Sequence, residues 1–88
     1  MDTKQASEPK ITIYSAVWCA FCKMAKQYLG DRNIAYKEID VEQDRDAARL
    51  ILDKTGQMGV PVIDIDGIWI LGFDRPKIDA ALKEKQLN

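Results

Sequence analysis

The sequence predicts an α/β fold: a mixed four-stranded sheet flanked by helices, in the order β-α-β-α-β-β-α. Three features carry this prediction. Segments with strand-like alternation take turns with segments of helical spacing, the pattern of β-α-β units. An Asp66-Gly67 pair between two apolar runs marks a two-residue hairpin. The length of 88 residues gives one domain, at roughly 100–200 residues per domain. That domain is expected over residues 10–88, after a loose polar tail over residues 1–9.

The elements follow in order. Ile11-Thr12-Ile13-Tyr14 alternates and is β-branched, so it reads as a strand. Ser15 to Trp18 is a loop. From Cys19 the spacing turns helical, with Cys22, Ala25 and Leu29 on one face and Phe21, Met24 and Tyr28 beside it. Lys23, Lys26 and Gln27 take the wet side. Gly30 weakens the helix, and Asn33 suits a left-handed position after it.

Ala35 to Val41 is a second strand. Asp44 or Asp46 caps a helix carrying Ala47, Leu50 and Ile51 inward, and Gly56 and Gly59 end it. Val60 to Ile65 is a third strand led by Pro61, and Ile68 to Leu71 returns after the hairpin. Gly72-Phe73 is a break. Asp74 caps the last helix, with Pro76 tolerated in its first turn and Ile78, Ala81 and Leu82 facing inward. The first β-α-β unit is a parallel crossover. The first and third strands, the most apolar, are expected at the sheet centre.

Composition narrows the function. Thirteen Lys and Arg nearly cancel fourteen Asp and Glu, for a net charge of −1, so binding of nucleic acid through a basic field is not expected. An apolar content of 47% with 31% charged residues is that of a globular domain. No apolar stretch approaches the 18 or so residues of a membrane span. The polar N-terminus has no signal-peptide pattern, so a cytosolic monomer without membrane contact is expected.

The chain has two cysteines, Cys19 and Cys22, and no histidine. Two thiols do not make a secreted disulfide framework, nor do two ligands complete a tetrahedral zinc site. In a reducing compartment a lone Cys-x-x-Cys pair points to redox chemistry. Cys19 lies where a loop becomes a helix, near free backbone N–H groups and the positive end of the dipole, which favour thiolate over thiol. Lys23 adds a nearby positive charge. Cys22 is one turn on and deeper, where burial disfavours its thiolate. Cys19 is thus the expected nucleophile and Cys22 the resolving thiol. With no histidine, water or an acidic side chain must handle protons. Two other readings stay open at this point. The cysteines are inert core residues of a docking module, or half of a metal site shared between two chains.

Tyr14-Ser15-Ala16-Val17-Trp18-Cys19-Ala20-Phe21-Cys22-Lys23-Met24 resembles the active-site segment of the thioredoxin superfamily. Gly59-Val60-Pro61-Val62-Ile63 looks like its cis-proline loop. Gly72-Phe73-Asp74 stands where glutaredoxins carry a glycine-rich turn. The likeness to glutaredoxins covers about residues 10 to 85. It implies a thioredoxin-like fold of the glutaredoxin type and a dithiol–disulfide oxidoreductase with no bound cofactor or metal. It implies a cis Pro61 close to Cys19, and a Val60 backbone that pairs with an extended substrate. It also implies a glutathione site around Cys19, Gln57, Val60, Gly72 and Asp74.

The departures from that family pattern are specific. Cys-Pro-Tyr-Cys is here Cys19-Ala20-Phe21-Cys22, and the usual lysine three residues before the first cysteine is Ala16. Arg-Thr-Val-Pro is Met58-Gly59-Val60-Pro61, and Gly-Gly is Gly72-Phe73. Two cationic partners for a glycyl carboxylate are missing, each a charge-assisted contact of about 1.5–3 kcal/mol, so weak glutathione affinity is expected. Trp18 and Lys23-Met24 are more like thioredoxin. Gly72-Phe73-Asp74 also resembles the glutaredoxin-like redoxins that serve ribonucleotide reductase and are reduced by thioredoxin reductase. The expected partners are therefore disulfide-containing proteins, with glutathione or a thioredoxin-reductase-type flavoprotein as reductant. An iron–sulfur carrier formed by a dimer is the alternative.

The remaining residues are read more plainly. Trp18 and Phe21 are an apolar docking rim or partial core. Phe73 is grouped with the substrate-binding turn. Trp69 is a hairpin or core aromatic, and Met24 and Met58 are packing residues. Asp74 is first a helix cap and second a contact for a substrate ammonium. The charge run Glu42 to Asp46 is a solvated helix entry.

Overall fold

The computed structural model describes residues 9–87; apart from Pro9, the expected tail lies outside the described residues. The elements are β1 (Ile11–Ser15), α1 (Ala20–Asp31), β2 (Lys37–Asp40), α2 (Arg45–Thr55), β3 (Val62–Ile65), β4 (Ile68–Leu71) and α3 (Arg75–Glu84). The sheet order is β2-β1-β3-β4. β1 and β2 are parallel, while β1–β3 and β3–β4 are antiparallel. The expected fold class is the observed one, with the first and third strands central.

Strand alternation sends side chains to two faces. On one face Ile11, Ile13, Ile63, Ile65 and Ile70 pack with Ala25 and Leu29 of α1 and Ile78, Ala81 and Leu82 of α3. On the other, Tyr14 and Val62 pack with Ala47 and Ile51 of α2. Trp69 joins this second layer, its ring stacked on Tyr14 with centroids 5.6 Å apart. The central strands are therefore covered on both sides, which explains their near-continuous apolar character.

The turns follow local chemistry. Asp66 and Gly67 both have positive φ, +49° and +99°, as a tight primed hairpin turn requires. Asn33 takes φ +58° after α1. Asp44 caps α2 by accepting the Ala47 N–H at 3.0 Å, and Asp74 caps α3 by accepting the Lys77 N–H at 3.2 Å. Replacing Asp44 with Ala strands one of the free N–H groups of α2. A loss of about 1 kcal/mol is expected, measured as a lower urea midpoint with an unchanged slope.

Several expectations need correction. The second strand covers Lys37–Asp40 rather than 35–41, because only Thr12 to Ser15 of β1 face it in register. The third begins at Val62 rather than Val60, since Pro61 has no N–H to enter the ladder. Leu50 is exposed: the buried stripe of α2 is Ala47 and Ile51, one turn apart, and Leu50 falls off it. Met24 and Met58 are exposed rather than packed. α1 continues through Gly30 to Asp31, held by Leu29 and Ala25 in the core.

Candidate active site

The strand ends gather the site. In the antiparallel pairing Tyr14 faces Val62, so the chain just before β3, Val60-Pro61, meets the chain just after β1. The Val60–Pro61 bond is cis. Ala16, Cys19 and Cys22 form one buried cluster with Val60 packed on it. In the parallel pairing Ser15 faces Asp40, which brings Glu42 alongside Trp18.

Cys19 is the N-cap residue of α1. Its backbone is extended (φ −90°, ψ 110°), and its Sγ accepts the Cys22 N–H at 3.1 Å. That N–H is one of the helix-start donors without an intrahelical partner, and the Cys19 sulfur satisfies it. No acidic residue occupies the first turn of α1. Cys19 retains 5% exposure and Cys22 none. Burial pushes the Cys22 thiol up to about 12, and its hydrogen bond with Cys19 acts in the same direction, against weaker lowering contributions. Of the two cysteines, only Cys19 keeps any exposure.

The sequence-derived site residues fall into three groups. Gln57, Val60, Pro61 and Gly72 line one open groove with Leu71, and the Gly72 N–H donates to the Pro61 carbonyl at 2.9 Å. At about 100 Å³ the groove is well short of the roughly 300–1,000 Å³ of a pocket that encloses a ligand. It suits part of an extended chain lying across it. Trp18 and Phe21 are 67% and 60% exposed and, with Val17, rim the cysteines. Phe73 and Asp74 are engaged elsewhere. Phe73 packs edge-on to Tyr28 of α1, and the Asp74 carboxylate caps α3.

Three residues of the site, Lys26, Glu38 and Glu42, carry no clear mark in the sequence. The Trp18 Nε1–H donates to Glu42 Oε2 at 2.7 Å, which pins the exposed indole. Lys26, expected on the wet side, is half-buried and bonds Glu38 Oε2 at 2.8 Å. The same oxygen accepts the hydroxyl of buried Ser15 at 2.7 Å. These two bonds, Lys26 first, hold the Glu38 carboxyl below the usual carboxylate range. Lys23, the expected nearby charge, is exposed. The only sequence signal for Lys26 is its i+4 spacing from Cys22. Glu38 and Glu42 have none, since their partners come from cross-strand register.

The Glutaredoxin family model matches residues 11–70. The chain belongs to the glutaredoxin family. It is 38% identical over 74 residues to an uncharacterized glutaredoxin-like 8.6 kDa protein in the rubredoxin operon of Clostridium pasteurianum, covering 84% of this chain and 99% of that one. The thioredoxin-like protein BC3987 superposes with a TM-score of 0.77 at 33% identity, over 83% of this chain and 100% of the other. NrdH-redoxin from Escherichia coli, a glutaredoxin-like protein with a thioredoxin-like activity profile, gives a TM-score of 0.72 at 27% identity. That match covers 80% and 91% of the two chains. As a glutaredoxin-family protein, the chain is a thiol–disulfide oxidoreductase. Among the described residues no helix is long and apolar enough to cross a membrane. None of them form a group of three or more side chains able to hold a metal, and the iron–sulfur carrier reading gains no support from this glutaredoxin's relatives.

Proposed function

We propose that the chain reduces disulfides in proteins, with Cys19 as nucleophile and Cys22 as resolving thiol. The observation that carries this is the sulfur of Cys19 at the cap of α1, accepting the Cys22 N–H while Cys22 lies buried behind it. The Cys19 thiolate attacks one sulfur of the substrate disulfide. A Cys19–substrate bond forms, the substrate's own S–S bond breaks, and the departing thiolate takes a proton from water. Cys22 then loses its proton and attacks Cys19. The Cys19–Cys22 disulfide forms and the second substrate thiolate leaves. Two electrons have passed from the protein to the substrate.

The groove beside Pro61 supports an extended substrate strand, with the backbone of Val60 as its pairing partner. The rim of Val17, Trp18 and Phe21 supports a protein substrate, since aromatic side chains favour such interfaces. Glutathione is the weaker candidate, because Gln57, Gly59, Val60, Pro61, Val62, Leu71 and Gly72 include no cation for its carboxylates. A thioredoxin-reductase-type flavoprotein is the better reductant, in line with the thioredoxin-like activity profile of the similar NrdH-redoxin from Escherichia coli.

The test is steady-state reduction of a disulfide protein with either electron source. Turnover with thioredoxin reductase is expected to exceed that with glutathione plus glutathione reductase by at least about tenfold. One missing charge-assisted contact of about 1.5–3 kcal/mol is sufficient for that ratio. Equal or faster turnover with glutathione overturns the assignment of reductant.

A further inference from the structure

The resolving thiol must lose its proton before it attacks, yet burial opposes this. The surroundings of Cys22 are poor in charge. The loop after β1 contributes the uncharged Ala16, the Pro61 loop contributes Val60, and α1 contributes Cys19 and Lys26. Lys26 is one helical turn from Cys22 and on the same side of α1. It is not a free surface lysine. Its ammonium is tied to Glu38 Oε2 at 2.8 Å, and that oxygen also accepts the Ser15 hydroxyl at 2.7 Å. Ser15 ends β1, next to Ala16 in the cysteine cluster. The tether thus runs from the sheet beneath the site to the charge on the helix beside it.

We propose that Lys26 is the cation that supports Cys22 as it becomes the attacking thiolate, with Glu38 and Ser15 as the positioning residues that hold the ammonium in place. Lys26 lowers the cost of charging a buried sulfur, as a nearby opposite charge does. Its influence on Cys22 opposes that of burial. The lysine moves no electrons. The proton leaves Cys22 to water, the Cys19–Cys22 bond forms, and the substrate thiolate departs. The inference rests on the proposed roles of the two cysteines.

The reaction of the reduced chain with a chromogenic aryl disulfide separates the steps. The first aryl thiolate released reports attack by Cys19, and the second reports resolution by Cys22. In Lys26→Met the first phase is expected to stay within about twofold of the unmodified chain. The second is expected to slow about three- to tenfold at neutral pH, the loss that a shift of about half to one pH unit in thiolate stability gives. The sign is set because removing a positive charge disfavours thiolate. Lys26→Arg restores the charge and is expected to recover most of the rate. A second phase in Lys26→Met with unchanged rate overturns the proposal. Failure of the cysteine roles looks different: the unmodified chain then releases no second aryl thiolate, or Cys22→Ser still releases it.

Discussion

Cys19→Ser is expected to lower disulfide reduction by more than about a hundredfold, because a serine hydroxyl is not ionised at neutral pH and forms no disulfide. Cys22→Ser is expected to behave differently. Cys19 still stands at the cap of α1, so attack proceeds, but nothing lies behind it to displace the substrate. The mixed disulfide accumulates and is seen by intact mass as the protein plus one substrate thiol, released by added dithiothreitol. The asymmetry follows from the burial of the two residues, 5% exposed against 0%. Full turnover by Cys19→Ser, or adducts on Cys22 rather than Cys19, would reverse the roles.

Leu29→Ala is expected to cost about 2–5 kcal/mol of stability, a large share of the roughly 5–15 kcal/mol of a small domain. Leu29 is fully buried and anchors the last turns of α1 in the core it shares with Ile11 and Ile13 of β1 and Ile78 and Leu82 of α3. Its removal leaves a cavity between helix and sheet that the two rigid neighbours close only in part. The urea midpoint should fall with little change in slope, as it does when stability and not compactness changes. The cysteines lie at the opposite end of the same helix, so the folded fraction should still react with an aryl disulfide. A loss below about 1 kcal/mol would mean that this end of α1 repacks freely.

Most of the fold is legible in the chain because it depends on near neighbours. Asp44 and Asp74 cap through groups three residues away. Asp66-Gly67 turns within its own four residues. Cys22, Ala25 and Leu29 mark the buried side of α1 by spacing alone. Where expectation and structure part, pairing or helix phase is the cause. The limits of the second strand come from how much of β1 faces it, and Leu50 stands one step off the stripe made by Ala47 and Ile51.

The candidate site divides along the same line. The Cys19–Cys22 pair at a strand-to-helix junction, and their order of depth, are readable from residue type and the 3.6-residue period. Three things are not. Lys26 reads as a solvated lysine until parallel register places Glu38 beneath it. Trp18 reads as a free rim residue until the same register brings Glu42 to its indole. Phe73 reads as part of the substrate turn until Tyr28 meets its ring at a centroid distance of 5.7 Å. Local spacing dictates which atoms one helix or turn holds together. Which side chain meets which partner across the sheet depends on chain segments a dozen or more residues apart, and only the packed sheet selects among those pairings.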